Sequence, residues 1–302
     1  MSFGLPARPA RFSSFGLPDC CCCCETSVMW LPWQIAVGLA VGLGGFSLLK
    51  VRHKLAPIAR EAAIIFGLYA LWIRAGEFEP LGVKGGLDRG LHVWQLEQRL
   101  HLPSELWVQK QFVSHSLLMQ ASNIYYAVVH VPAAIALLVW MFFRHRVHYQ
   151  VLRTTLACVT GVSLLMHYVP VAPPRLYPQL GFIDTALLYK QSVYGEFGAG
   201  VSSQLAAMPS VHVEWAVLVG VCAFVVSSSR WRWLAVAHTF LTILVVTNTA
   251  NHWWMDGIVG IALLVPSYLI ARLLHRKPAG SPAPVGDERT DVVEHHEAAV
   301  RR

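Results

Sequence analysis

"MPSVHVEWA", residues 208–216, stands at the front edge of an apolar stretch that runs to Val226. Ionisable groups beside a bilayer are costly, so a proline, a serine, a histidine and a glutamate at that edge need a physical reason. Reading outward from it, six further apolar stretches cover 33–49, 58–76, 122–143, 152–169, 233–249 and 252–274. A membrane helix needs roughly 17–25 residues, so the seven stretches predict an all-α integral membrane protein. Pro209 reads as the residue that opens the fifth helix.

Composition agrees. The chain has 302 residues, 55% of them hydrophobic and 14% charged, against roughly 25% charged in soluble domains. The net charge of +7 raises nucleic acid as a partner. The bases are placed otherwise, in short patches between apolar runs: Lys50, Arg52, Lys54 and Arg60; Arg144, Arg146 and Arg153; Arg230 and Arg232; Arg272, Arg276 and Lys277. Seven spans put all four patches on one side, which the positive-inside rule makes cytoplasmic. The expected partners are therefore the bilayer and a membrane lipid substrate, not nucleic acid, and the location is a cell membrane of bacterial plasma-membrane type. Nothing in the sequence bears on oligomeric state.

The segment 77–120 falls on the outer side and carries Glu77, Glu79, Asp88, Glu97 and Glu105 beside its bases. Within it "LDRGLHVWQLEQRLHL", residues 87–102, has Leu87, Leu91 and Trp94 at helical spacing. Two readings fit: a helix lying in the interface, or an extracytoplasmic cap. The chain divides into a tail over 1–28, a polytopic domain over 29–276, and a polar tail over 277–302 that is expected to be disordered and cytoplasmic, with His295 and His296 solvated. The first tail holds five consecutive cysteines, Cys20–Cys24. Either Met29 is the true start or the cysteines are acylated. Cys158 and Cys222 lie in apolar runs and read as buried and inert.

Three polar clusters fall on the outer side: "HYVPVAPPRLYP" at 167–178, "MPSVH" at 208–212 and "NTANHWWMD" at 248–256. They deliver Arg175, His212, His252 and Asp256 to one face. His252 and Asp256 are four apart and share a face on a helix. The carboxylate can take the proton of one ring nitrogen and leave the other free to attack. Ser210 and His212 sit in a first helical turn, whose free N–H groups suit phosphate, and Arg175 adds a charged fork. A nucleophilic histidine, an acidic histidine and an arginine make a phosphoryl-transfer kit. Taken singly, each has a plainer role as a helix cap or headgroup anchor. A rival set, His212, His252, Asp256 and His167, would bind a metal in a transporter or membrane metalloenzyme. His130 reads either as a functional histidine buried in a span or as one hydrogen-bonded to a neighbouring helix, His238 as structural, Glu214 as pointing away from His212, and Trp253 and Trp254 as an interfacial aromatic belt.

"MPSVH" and "NHWWMD" resemble the second and third motifs of the type 2 phosphatidic acid phosphatase (PAP2) superfamily, and "APPRLYP" resembles a degenerate first motif. The branch most similar is the inositolphosphorylceramide-synthase-like one. The resemblance covers about 122–274. It implies a PAP2-like six-helix core, to which this chain adds one N-terminal transmembrane helix. It also implies phosphoryl transfer on lipid phosphates through a phosphohistidine, with no metal and no cofactor. By motif position His252 would be the nucleophile, Asp256 its orienting partner and His212 the acid; Ser210 and Arg175 would hold phosphate. The chain departs from the pattern in three places. Tyr168 stands where the first motif has lysine, Val246 where the third has arginine, and Val211 where the second has glycine. Asn248, Asn251, His167 or Tyr168 would then replace the missing cations. Two lost cations suit a singly charged phosphodiester donor better than a dianionic monoester. Water as acceptor makes a phosphatase of lipid phosphates or polyprenyl pyrophosphates, and an alcohol makes a transferase. The same losses also fit an inactive lipid-binding relative.

Overall fold

The structure is a computed structural model that describes residues 31–76, 83–191 and 204–276. The readings on the first tail, Cys20–Cys24, Met29, Glu77, Glu79 and the last tail with His295 and His296 lie outside the described residues. The helices are α1 (Trp33–Leu49), α2 (Ala56–Gly76), α3 (Val83–Arg99), α4 (Glu105–Val113), α5 (Ser116–Val128), α6 (His130–Arg144), α7 (Arg146–Met166), α8 (Thr185–Leu188), α9 (Val211–Val226), α10 (Arg232–Asn248) and α11 (Trp254–Leu274). Among the described residues there is no strand, only one parallel bridge between Val171 and Ala206.

Helix α9 is apolar on nearly every side and forms the centre, packed on α6, α7, α10 and α11, as an all-round apolar helix should be. Gly260 lets α11 approach it closely. A Cβ there would stand 2.8 Å from Glu214 Cγ and 3.2 Å from the Ser210 carbonyl. Glu214 points away from His212 as expected, and its Oε1 accepts from Ser163 Oγ of α7 at 2.7 Å.

Three boundaries differ from expectation, each for a local reason. The span expected over 122–143 is broken between α5 and α6, with a bend of 49°. Pro132 has no N–H for the Val128 carbonyl and its ring crowds the preceding turn. His130 opens the second half, with Nδ1 3.1 Å from the Tyr126 carbonyl. Helix α9 starts at Val211, so Pro209 precedes the cap instead of opening the helix. The cap is Ser210, whose Oγ accepts from the Val213 N–H at 3.4 Å. Helix α11 starts at Trp254, so His252 lies outside it.

The two ends of the bundle differ in chemistry. At one end Glu61 of α2 pairs with Arg153 of α7 and accepts from Tyr149 Oη at 3.2 Å. Thr154 meets His275, just past α11, at 2.8 Å. Phe142, Tyr149, Val226 and Ala235 pack together there, so the described members of the four basic patches gather at this end. The opposite end carries α3, α4 and the three polar clusters.

Much of the outer surface is apolar, including Val41, Leu48, Val225, Phe240, Leu269 and Leu273, as suits a helical membrane protein. Residues 56–74 and α11 are each long and apolar enough to cross a bilayer, and α5 and α6 meet the same test only taken together. Helices α1, α9 and α10 are apolar but shorter, at 17, 16 and 17 residues. Helix α7 has the length, but Arg146, His148 and Arg153 occupy its first turns.

Candidate active site

The polar clusters meet through backbone. The Val171 N–H donates to the Leu205 carbonyl at 2.7 Å, and Ala207 returns a bond to Val171 at 3.1 Å. The Arg175 N–H donates to the Ala250 carbonyl at 2.9 Å, and the Ser210 N–H to the Asp256 carbonyl at 3.0 Å. Each cluster is thus tied to another before any side chain acts.

Helix α3 closes this end. Its Arg89 Nε donates to the Pro170 carbonyl at 2.6 Å, and Tyr177 Oη donates to the Leu87 carbonyl at 2.5 Å. Gly90 permits the approach, since a Cβ would stand 2.2 Å from Tyr177 Oη. Leu91, Val93 and Trp94 pack on Val171, Tyr177, Leu205 and Trp253. Of the two readings of 87–102, these contacts give the cap. They also correct the aromatic belt. Trp253 is 1% exposed and its Nε1 donates to the Ala172 carbonyl at 2.8 Å, so it is a core residue of the loops. Trp254 anchors to the Pro103 carbonyl at 2.7 Å.

His252 is 4% exposed. Its Nδ1 lies 2.8 Å from the Ala207 carbonyl and 3.4 Å from Asp256 Oδ2. A carbonyl only accepts, so Nδ1 carries the proton and Nε2 holds the lone pair. The expected orienting partner is therefore second to a backbone oxygen. Asp256 Oδ2 accepts the Trp253 N–H at 2.8 Å, which fixes the turn that presents His252. The spacing of four works across a helix cap, not along a helix face as expected. Nε2 is buried without a hydrogen-bond partner.

His212, at the second position of α9, lies with its ring centre 5.5 Å from that of His252. It stacks on Tyr126 at 4.3 Å and meets His130 edge-on at 4.5 Å. These favoured ring arrangements hold its rotamer. His130 thus borders the site, and its Nε2 is also buried and unpartnered. His238 stays at the back, with Nδ1 2.5 Å from Tyr125 Oη.

Arg175 does reach the site, but its fork is engaged. Nε donates to Asn251 Oδ1 at 3.0 Å, and Nη1 pairs with Asp184 Oδ2 at 3.0 Å. Asn251 Nδ2 donates onward to Thr249 Oγ1 at 2.9 Å. Asn248 Nδ2 donates to Ser122 Oγ at 3.2 Å, leaving its Oδ1 buried and unpartnered. An amide's two ends are interchangeable in such an assignment. With the Ser122 hydroxyl donating to Oδ1, Nδ2 would be the available donor. Tyr168 is half-buried. His167 Nε2 lies 3.1 Å from the Pro209 carbonyl. Among the described residues no group of three or more His, Cys, Asp or Glu is gathered to hold a metal.

Sequence reasoning missed Ala207, Asp184, Tyr126, Glu97 and Glu105. Asp184 follows Arg175 by nine residues, and that pairing was open to inspection. A backbone carbonyl leaves no side-chain signal.

A helical membrane protein with a buried histidine pair, one of them holding a free ring nitrogen, is the class that fold and site define. The family model of the PAP2 superfamily matches residues 91–270, and the chain belongs to that superfamily. The match begins in α3, earlier than the resemblance drawn from the motifs. No curated protein and no solved structure matches the chain.

Proposed function

We propose that the chain is a membrane phosphotransferase of inositolphosphorylceramide-synthase type, working without a metal on the extracytoplasmic side. The observation that carries this is His252: Nδ1 held by the Ala207 carbonyl, Nε2 buried and unpartnered beside His212. The Nε2 lone pair attacks phosphorus, and the phosphorus–oxygen bond to the lipid alcohol breaks. The departing oxygen takes a proton from His212. An acceptor hydroxyl then attacks the phosphohistidine, returns its proton to His212, and the phosphorus–nitrogen bond breaks. Asp256 holds the turn, Asn248 offers its amide, and Ser210 and the first amides of α9 face the phosphoryl oxygens. Arg175 and Asn251 brace the wall, and Tyr168 lies at its margin.

The donor class follows from charge. Tyr168 and Val246 stand where cations are usual, and Arg175 shares its charge with Asp184. Little positive charge is left for a dianionic monoester, whereas a phosphodiester such as phosphatidylinositol presents one negative charge. Superfamily membership is equally consistent with a phosphatase. A paired assay separates the two. Purified protein in lipid nanodiscs is given phosphatidylinositol or phosphatidic acid, with and without a lipid alcohol. The expected result is head-group transfer from phosphatidylinositol, insensitive to a strong chelator and blocked by vanadate. Phosphate release from phosphatidic acid with no transfer product would make the chain a lipid phosphatase.

A further inference from the structure

Helix α11 begins with two backbone amides that its own sequence does not cap. The Trp254 N–H is taken by Glu105 Oε1 at 3.1 Å and the Met255 N–H by Glu97 Oε1 at 2.8 Å. The donors and acceptors lie 149 and 158 residues apart in the chain. Both glutamates are 1% exposed. Adjacent amides of one turn hold the two carboxyl groups side by side, and the third nearby charge, Asp256, is also acidic. No salt bridge among the described residues reaches either glutamate. Glu97 Oε2 is buried with no donor directed at it. Three carboxylates around one helical turn, without a cation, cannot all be ionised. A proton between Glu97 and Glu105 removes the repulsion and gives Glu97 Oε2 its bond.

We propose that Glu97 and Glu105 share one proton and act as a positioning pair, clamping the start of α11 and so the turn that presents His252. The turn is short: His252 is two residues before the first clamped amide. Its function in turnover rests on the phosphotransfer reading above, but the shared proton does not. Burial, followed by the hydrogen bond to Glu105, pushes Glu97 from an ordinary carboxyl up to about 9. Burial also raises Glu105. The titratable groups acting on Glu97 are Glu105 from α4 and Asp256 from α11; those acting on Glu105 are Glu97 from α3 and Asp256. The sign follows. An acid whose folded value is raised stabilises the fold below its unfolded value, and that contribution disappears as pH rises through the folded value. The clamp is therefore protonated at neutral pH and opens near pH 9.

Infrared spectroscopy of the full chain in nanodiscs tests the proton directly. The wild-type minus Glu97→Gln difference spectrum should show a protonated-carboxyl band that shifts in deuterium oxide, present at pH 7 and fading near pH 9. A difference spectrum without that band overturns the shared proton whether or not any lipid is turned over. The second arm measures kcat and KM against pH with phosphatidylinositol. One unit above the folded value only about a tenth of the pairs keep the proton, so kcat should fall about tenfold with KM little changed. Glutamine accepts the Met255 N–H and donates to Glu105 at every pH. Glu97→Gln should therefore retain neutral activity and lose this alkaline fall, whereas Glu97→Ala should lose kcat at all pH values. An alkaline fall identical in wild type and Glu97→Gln overturns the positioning role.

Discussion

On the proposed phosphotransfer reading, Asp184 sets what Arg175 offers a substrate. With the carboxylate 3.0 Å from Nη1, part of the guanidinium charge is already answered. Asp184→Asn removes that charge yet keeps the cap of α8, where Oδ1 accepts from the Leu187 N–H at 2.9 Å. A charge-assisted contact regained by a dianionic substrate is worth about 1.5–3 kcal/mol. The ratio of kcat/KM for phosphatidic acid over phosphatidylinositol should rise about tenfold; an unchanged ratio would detach Arg175 from donor choice. His212→Ala should lower kcat by about 10²–10⁴ with poor leaving groups, with partial recovery on a nitrophenyl phosphodiester. Equal loss on both substrates would deny His212 the acid role. At this scale the sequence exposed the residue types and not their bonds. His212, His252 and Asp256 were legible from spacing. The Ala207 carbonyl that sets the tautomer was not, because every residue has a carbonyl and only the fold selects one.

Among the elements, apolar runs marked α1, α2, α9, α10 and α11 to within three residues, since hydrophobic length is the physical requirement for a span. The breaks were harder. Pro132 inside "NIYYAVVHVP" was a visible reason for α5 to end, but average hydropathy runs straight across it. Helix α3 was readable as a helix from Leu87, Leu91 and Trp94. Its role as a cap depends on Gly90 and Tyr177, 87 residues apart in the chain and invisible to any local window. The α9–α11 contact gives the clearest test. Gly260→Ala places a methyl group against Glu214 and the Ser210 carbonyl, and such overpacking costs about 1–3 kcal/mol. Thermal unfolding in detergent should occur at a lower temperature than in the wild type. An unchanged transition would mean that the two helices separate freely.

At the scale of the molecule, segregation of charge is the organising fact. Basic patches far apart in sequence meet around Glu61, Arg153 and His275, while the motif loops meet at the other end under α3. On the positive-inside rule that segregation predicts an orientation with the site outside. Gln179 is exposed on the motif end and serves as a reporter, whereas Asp184 is committed to Arg175. Gln179→Cys, in a background without native cysteines, should react with an impermeant thiol reagent on intact cells. Labelling only after lysis would reverse the orientation.

The central claim is that His252 carries the phosphoryl group. The protein is incubated briefly with phosphatidylinositol labelled in its phosphate, quenched in alkali, and mapped by peptide. The account predicts an acid-labile, alkali-stable label on the peptide holding His252, absent from a folded His252→Ala protein and discharged by a lipid alcohol. Label persisting in His252→Ala, or turnover by that variant near the wild-type rate, would contradict it.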